Sequence, residues 1–275
     1  MVFPPLPLIT LLTDFGTSDV FVASMQGVIL GINPQARMVD LTHDVPAHDI
    51  RTGAYLLHAA ARYFPAGTIH VAVVDPGVGG SRRPLLVSTA TQHFLAPDNG
   101  LLSYVLAEEP APQVRELTAQ QYFLKSLGPT FHGRDLFAPA AAWLSRGEPI
   151  DAFGPRITHA VRFEVRTPVR ANDTLIGEVQ HIDRFGNLMT NVSGEELREL
   201  ADLETWRDLT VRIGDTRLNG LQRCYADAPA GTLAALVNSD GRLELFCNQG
   251  RADELTKAKM GERVEVQLHG ENQQA

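Results

Sequence analysis

IHVAVVDPGVGGSRR, residues 69–83, carries a run of strand-forming residues that stops at Asp75, breaks into a glycine-rich turn and then places Arg82 and Arg83 close behind the aspartate. Apolar residues at consecutive positions, rather than at every second one, mark a strand buried on both faces, as in a parallel sheet. LITLLT, residues 8–13, repeats the pattern and also runs into an aspartate, Asp14. Between the two runs, Ile50, Gly53, Ala54, Leu57, Ala61 and Phe64 recur at helical spacing, with Asp49 where a helix cap belongs. Strand, helix, strand in that order predicts an α/β N-terminal domain with a mainly parallel sheet. Ligands of such sheets bind beyond the carboxyl ends of the strands, so one crevice is expected to receive both Asp14 and Asp75. The plainer alternative is that each aspartate caps a turn.

Working outward, PLLVSTATQHFLAPDNG (84–100) reads as a hairpin turning near Thr89–Gln92, followed by a second turn at Asp98-Asn99-Gly100. From about residue 165 the texture changes to short β-type runs, TLIGEVQHI, LTVRIG, LAALVNS, RLELFCN and RVEVQL, with helical periodicity only near GEELRELADL and RADELTKA. This predicts a smaller all-β, barrel-like C-terminal domain and a division into residues 1–165 and 166–275.

The whole chain, 275 residues with 44% hydrophobic and 20% charged, has ample material for packed cores. Its formal net charge of -8 argues against nucleic acid or an anionic membrane as partner. Cys224 and Cys247 lack CxxC spacing, which points to neither a zinc site nor a disulfide framework and fits a cytoplasmic protein. The apolar MVFPPLPLITLL start, with its prolines and no basic leader, reads as an arm and a strand rather than a signal or membrane span.

Neither nucleotide fingerprint is satisfied by the glycines. Counting from Gly77 and Gly79, the third glycine of the dinucleotide motif would fall on Arg82, and no GKS or GKT follows. A structural turn explains the glycines but not Arg82. His132, in PTFHGRDLFAP, stands just before a helix-like stretch, and His43, Asp44, His48 and Asp49 form a rival cluster whose spacing matches no strong metal signature. In the C-terminal half, HIDRFGNLMTNV and LVNSDGRLELFCNQGRA read either as two turns or as an aromatic face with amides and hydroxyls suited to a nucleoside or amino acid.

Taken together, TDFGTSD, VVDPGVGGSRR, APDNGLL, TFHGRDLFAPAAAWL, IDRFGNLMTN and NSDGRLELFCNQGRA resemble, in order, the S-adenosyl-L-methionine hydroxide adenosyltransferases, adenosine-forming hydrolases related to the fluorinase and chlorinase. The resemblance implies a homotrimer with sites between subunits, no cofactor beyond the substrate S-adenosyl-L-methionine, and a catalytic trio of Asp75, Arg82 and His132. It further implies that Asp14 holds the ribose hydroxyls and Phe131 packs near the nucleoside, that Asp19, Asp183, Asn187 and Ser239 serve the ribose or methionine end, that Phe185 belongs to the substrate-binding set, and that Asn248 and Ala252 lie near adenine. Asp240 departs from the pattern, standing where the fluorinase branch carries arginine. Gly133 stands where the fluorinase has a fluoride-binding serine. Three alternatives stay open: a halogenase, a non-catalytic nucleoside-binding protein, and a metal-dependent hydrolase built on His43 and His48. Whether Asp75 or His132 accepts the proton is open as well.

Overall fold

The computed structural model describes residues 7–126, 128–201 and 203–268, so the arm expected before the first strand lies largely outside the described residues. The chain divides into two compact units, Met1–Val165 and Arg166–Ala275.

Unit 1 runs β1 (Leu8–Thr13), α1 (Phe21–Ile32), β2 (Arg37–Thr42), α2 (Ile50–Ala61), β3 (Ile69–Val73), β4 (Pro84–Ser88), β5 (His93–Pro97), α3 (Ser103–Glu108), β6 (Gln113–Glu116) and α4 (Ala138–Ser145). The sheet order is β2-β1-β3-β5-β4-β6. Neighbours β2, β1, β3 and β5 pair in parallel, and β4 pairs antiparallel with both β5 and β6. Because β1 and β3 are central, both faces need apolar cover. Ile9, Leu11, Val71 and Val73 pack with Met25 and Ile29 of α1 and the alanines of α4, while Leu12, Ala72 and Val74 pack on the other face with Leu57 of α2 and Val105 of α3. Helix α2 starts where the sequence puts its cap: Asp49 Oδ1 accepts from the Thr52 amide at 3.0 Å. Phe64, counted into the periodicity, falls in the turn beyond the end of α2.

Unit 2 contains β7 (Val169–Ala171), β8 (Thr174–Ile182), β9 (Leu188–Ser193), α5 (Gly194–Leu200), β10 (Leu209–Ile213), β11 (Thr216–Asn219), β12 (Leu233–Val237), β13 (Arg242–Cys247), α6 (Ala252–Thr256) and β14 (Arg263–Leu268). Its strands form one antiparallel sheet in the order β11-β10-β14-β8-β9-β13-β12, with β7 on β8. A bridge from Gln222, just past β11, to Leu236 of β12 brings the two ends of the sheet together into a nearly closed path. Inward residues alternate, as in Leu209, Val211 and Ile213 of β10 and Val264 and Val266 of β14, and they build a core of their own. Among the described residues no helix is long and apolar enough to cross a membrane.

One buried group makes the fold sensitive to acid. His70, in the middle of β3, is fully buried, stacks on Phe94 at 4.8 Å and has Nδ1 2.7 Å from Thr10 Oγ1. Burial lowers its pKa to about 4, and burial also lowers that of His93. The unfolded chain, with histidine near its ordinary value, binds protons there that the folded chain refuses. Stability from this source is therefore complete above about pH 6.5 and is lost as pH falls toward 4, by roughly 3 kcal/mol for His70. Urea unfolding at pH 7.5 and at 4.5 will show that drop; a midpoint that stays level across the range would contradict it.

Candidate active site

β3 ends under the glycine turn, and the end is latched: Asn99, in the turn after β5, donates from Nδ2 to the Val74 carbonyl at 2.8 Å. Asp75 follows at once. The turn then folds back, with the Val78 amide donating to Asp75 O at 3.2 Å and the Gly80 amide to Gly77 O at 3.0 Å. Arg82 returns to Asp75, donating from Nε to Oδ1 at 3.0 Å and Oδ2 at 2.9 Å and from Nη2 to Oδ2. Both side chains are nearly out of solvent, 9% exposed for Arg82 and 4% for Asp75. The neighbouring Arg83 goes elsewhere, pairing with Asp98 at the end of β5 through Nε at 2.9 Å.

The same Arg82 Nη2 donates to His132 Nδ1 at 2.7 Å, joining the three residues into one cluster. A guanidinium has no lone pair to offer, so Nδ1 is the acceptor and the ring proton sits on Nε2. Burial and the adjacent Arg82 cation hold the His132 pKa below the ordinary imidazole value, outweighing Asp75 and Asp135, so the ring is neutral at physiological pH. His132 is the cap of a one-turn π-helix, Gly133–Phe137, a feature frequent at functional sites. The loop before it is tied down by the fully buried Asp135, whose Oδ2 accepts from the Gly128 amide at 2.9 Å and whose Oδ1 accepts from Arg134 Nε.

Asp75 and His132 line a hollow of about 170 Å³ walled by Phe15, Phe21, Val78 and Phe131. Phe131 meets Phe15 and Phe21 edge-on, at 5.8 and 5.3 Å. Asp14 sits half-buried at the end of β1, where Oδ2 accepts from the His48 amide at 2.8 Å, and Asp19 is exposed in the turn before α1. The rival histidine cluster is otherwise engaged: His43 is buried with Nδ1 2.8 Å from Thr13 Oγ1, and Asp49 caps α2. No group of three His, Cys, Asp or Glu among the described residues is placed to hold a metal ion.

Unit 2 has a larger pocket of about 620 Å³, lined by Asp183, Phe185, Asn187, Tyr225, Asn248 and Arg251 among others. Asp183 Oδ1 accepts from the Phe185 and Asn187 amides at 2.8 and 2.9 Å, an Asx-type turn that leaves Phe185 72% exposed. Gly186 lets this turn lie against the start of α6, its carbonyl accepting from the Asp253 amide at 3.0 Å. Its φ is +81°, and a Cβ there would stand 2.3 Å from Asp253 Oδ1. Ser239 is exposed in the β12–β13 turn and is not among the residues of this pocket. Ala252 is fully buried in the unit 2 core and is not among the residues of this pocket.

The family models settle kinship. The SAM hydroxide adenosyltransferase N-terminal domain matches residues 9–154 and the C-terminal domain of that family matches 177–265. The chain belongs to the SAM hydroxide adenosyltransferase family. An (R)-S-adenosyl-L-methionine hydrolase of Salinispora tropica is 36% identical over 95% of this chain and 98% of its own length. A fluorinase of Nocardia brasiliensis is more distant, 28% identical over 95% of this chain and 97% of its own. The crystal structure of an uncharacterized conserved protein from Thermotoga maritima superposes with a TM-score of 0.88 at 35% identity, covering 94% of this chain and 99% of that one.

The sequence reading of this family member missed Phe15, Phe21, Val78, Tyr225 and Arg251 as lining residues. An aromatic in an otherwise turn-rich stretch, as Tyr225 is in RCYADAPAG, is the signal that could have drawn notice.

Gly79 holds the cluster together. Its φ is +77°, and a Cβ there would come within 2.3 Å of the Pro129 carbonyl oxygen in the loop before His132. Gly67 has a similar φ of +83° but open space around it. Gly79→Ala is therefore expected to cost roughly 1–3 kcal/mol more than Gly67→Ala, the difference being steric conflict rather than backbone strain. Paired urea unfolding curves measure it, and equal losses would show that the two loops do not depend on this contact.

Proposed function

We propose that the protein hydrolyses S-adenosyl-L-methionine to adenosine and L-methionine, water attacking the ribose 5′ carbon in line with the departing sulfur. The observation that carries the reading is the hydrogen-bonded set Asp75, Arg82 and His132 at the edge of an apolar hollow, in a chain of this family. The hydrolase named above supports it by identity over nearly the whole chain.

The chemistry asks little of the leaving side, because the sulfonium departs as a neutral thioether and needs no acid. The nucleophile is the difficulty. In this reading His132 Nε2–H donates to the water and fixes its direction, Arg82 stabilises hydroxide character on it, and Asp75 takes the proton. Asp75 rather than His132 is assigned as acceptor because the one free lone pair of the imidazole is already filled by Arg82. The balance is substrate cation plus water giving adenosine, methionine and one proton, which Asp75 passes on to solvent. Neither a metal nor a redox cofactor is required by these steps. Alignment of water with the carbon–sulfur bond supplies much of the acceleration.

Asp14 is assigned to the ribose, Phe131 to the nucleoside, Asp19 and Ser239 to the ribose or methionine end, and the unit 2 pocket with Asp183, Phe185, Asn187 and Asn248 to the remainder of the substrate. The proposal keeps the homotrimer with sites between subunits that the resemblance implies, and a cytoplasmic location. Halide transfer is the weaker reading. A halide in the hollow would face the Asp75 carboxylate, and a Cβ on Gly133 would lie 3.1 Å from Phe131 and 3.2 Å from Met25 Sδ, leaving a serine little room.

Incubation with S-adenosyl-L-methionine in oxygen-18 water, with and without chloride or fluoride, is expected to yield adenosine labelled at the 5′ oxygen plus methionine in every case. A 5′-halo product would move the assignment to halide transfer, and intact bound substrate would move it to a binding protein. The depressed pKa of His132 sets the pH dependence: the neutral ring works, so kcat should fall only below about pH 6.5 as the ring is protonated. His132→Gln, which can accept from Arg82 and donate to water without titrating, is expected to keep part of the rate and lose that acid limb. Persistence of the limb in the variant would assign it to another group.

A further inference from the structure

Glu244 is a buried carboxyl group to which the proposed reaction gives no task. Glu244 lies on β13 between Leu243 and Leu245, which face the unit 2 core, and is itself only 1% exposed. An apolar residue would cost less at such a position, since a buried carboxylate must be compensated in full. The compensation comes from two donors. Tyr225 donates its hydroxyl to Oε1 at 2.8 Å and Asn238 donates Nδ2 to Oε2 at 3.1 Å.

We infer that Glu244 is a positioning residue, fixing Tyr225 in the wall of the unit 2 pocket and the Ser239–Asp240 turn at the end of β12 at the same time. The inference rests on the proposal that unit 2 binds part of the substrate. Tyr225 is 47% exposed, lines the pocket with Asp183 and Asn248, and stands edge-on over Phe246 at 4.9 Å. The phenyl contact and the bond to Glu244 together fix where the Tyr225 ring stands over the short turn Tyr225–Asp227 that carries it. Asn238 works the other way along the strand. Its Oδ1 accepts from the Asp240 and Arg242 amides at 2.9 and 3.0 Å, so the side chain that touches Glu244 also shapes the turn bearing Ser239. One carboxylate thus joins two ligand-facing segments that are far apart in sequence. At 1% exposed it cannot itself contact a ligand, which is why its effect is expected on affinity and not on bond breaking.

The test compares wild type, Glu244→Gln, Tyr225→Phe and the double variant by kcat and KM for S-adenosyl-L-methionine and by calorimetric Kd for adenosine. Each single variant is expected to raise KM and Kd about tenfold, with the loss falling mainly on KM, and the double variant to be no worse than either, because one charge-assisted bond is removed in all three. Tyr225→Phe removes only the hydroxyl of a half-exposed ring and keeps the test alive if Glu244→Gln does not fold. Unchanged KM and Kd beside a lowered melting temperature would reduce Glu244 to a packing element, and multiplying effects would show that the two residues act separately. Either overturns the inference. Wild type that binds adenosine without turnover removes the hydrolysis reading alone, leaving Kd to judge Glu244; wild type that binds neither overturns both.

Discussion

A buried pair of opposite charges, Asp75 and Arg82, governs the architecture of unit 1 beyond its sheet. Removing two ions from water costs several kcal/mol each, and only close, forked pairing returns the loss. That requirement dictates the turn between them. The chain must reverse within seven residues and deliver a guanidinium in the plane of the carboxylate, which the glycines allow and the latch from Asn99 to the Val74 carbonyl makes reproducible. Arg83 then has to leave in another direction, and Asp98 receives it. The two adjacent arginines thus serve different partners, Arg82 closing the turn on Asp75 and Arg83 tying its far end to the end of β5.

The elements that could be read from the sequence are those where a single force dominates. β1, β3 and α2 are declared by burial and a cap, and the hairpin β4–β5 by its turn residues. β9 was read as part of a turn, its apolar Leu188 and Val192, both in the unit 2 core, being interrupted by two buried polar residues. Thr190 is fully buried, donating to the Leu243 carbonyl at 2.8 Å, and Asn191 is 3% exposed, accepting from the Glu178 amide at 2.8 Å. Hydrogen bonds to distant backbone do there what apolar burial does elsewhere, and local pattern carries no trace of them. The edge strands β2, β7 and β11 were missed for the opposite reason, having little buried surface to announce them. For the site, the resemblance named Asp75, Arg82 and His132, and the sequence could place Asp75 at a strand end. That Arg82 rather than Asp75 bridges to His132 needed coordinates, since which of two acceptors a guanidinium reaches depends on loop positions set by Gly79 and Pro129.

The two units solve the same construction problem with different means. In each, a glycine at positive φ lets one loop lie against another: Gly79 against Pro129 in unit 1, and Gly186 against Asp253 in unit 2. Around the first, the loops are fastened by an ion pair. Around the second, Arg251 spans the two loops, donating to the Arg184 carbonyl at 2.9 Å and to Asp253 Oδ2 at 2.8 Å, while Asp183 accepts from its own turn. The first arrangement confers direction and charge on whatever lies in the small hollow. The second confers shape on a pocket more than three times as large.

The formal charges of Asp75, Arg82 and a neutral His132 cancel. A cavity of that kind has no counterion to retain. An arginine standing alone among phenyl rings would attract chloride from a saline medium, whereas a guanidinium paired with a carboxylate offers a dissolved anion less in return for shedding its hydration. In the hydrolysis proposed above, the nucleophile entering the space beside the trio carries no charge on arrival and gains its negative character only as its proton leaves.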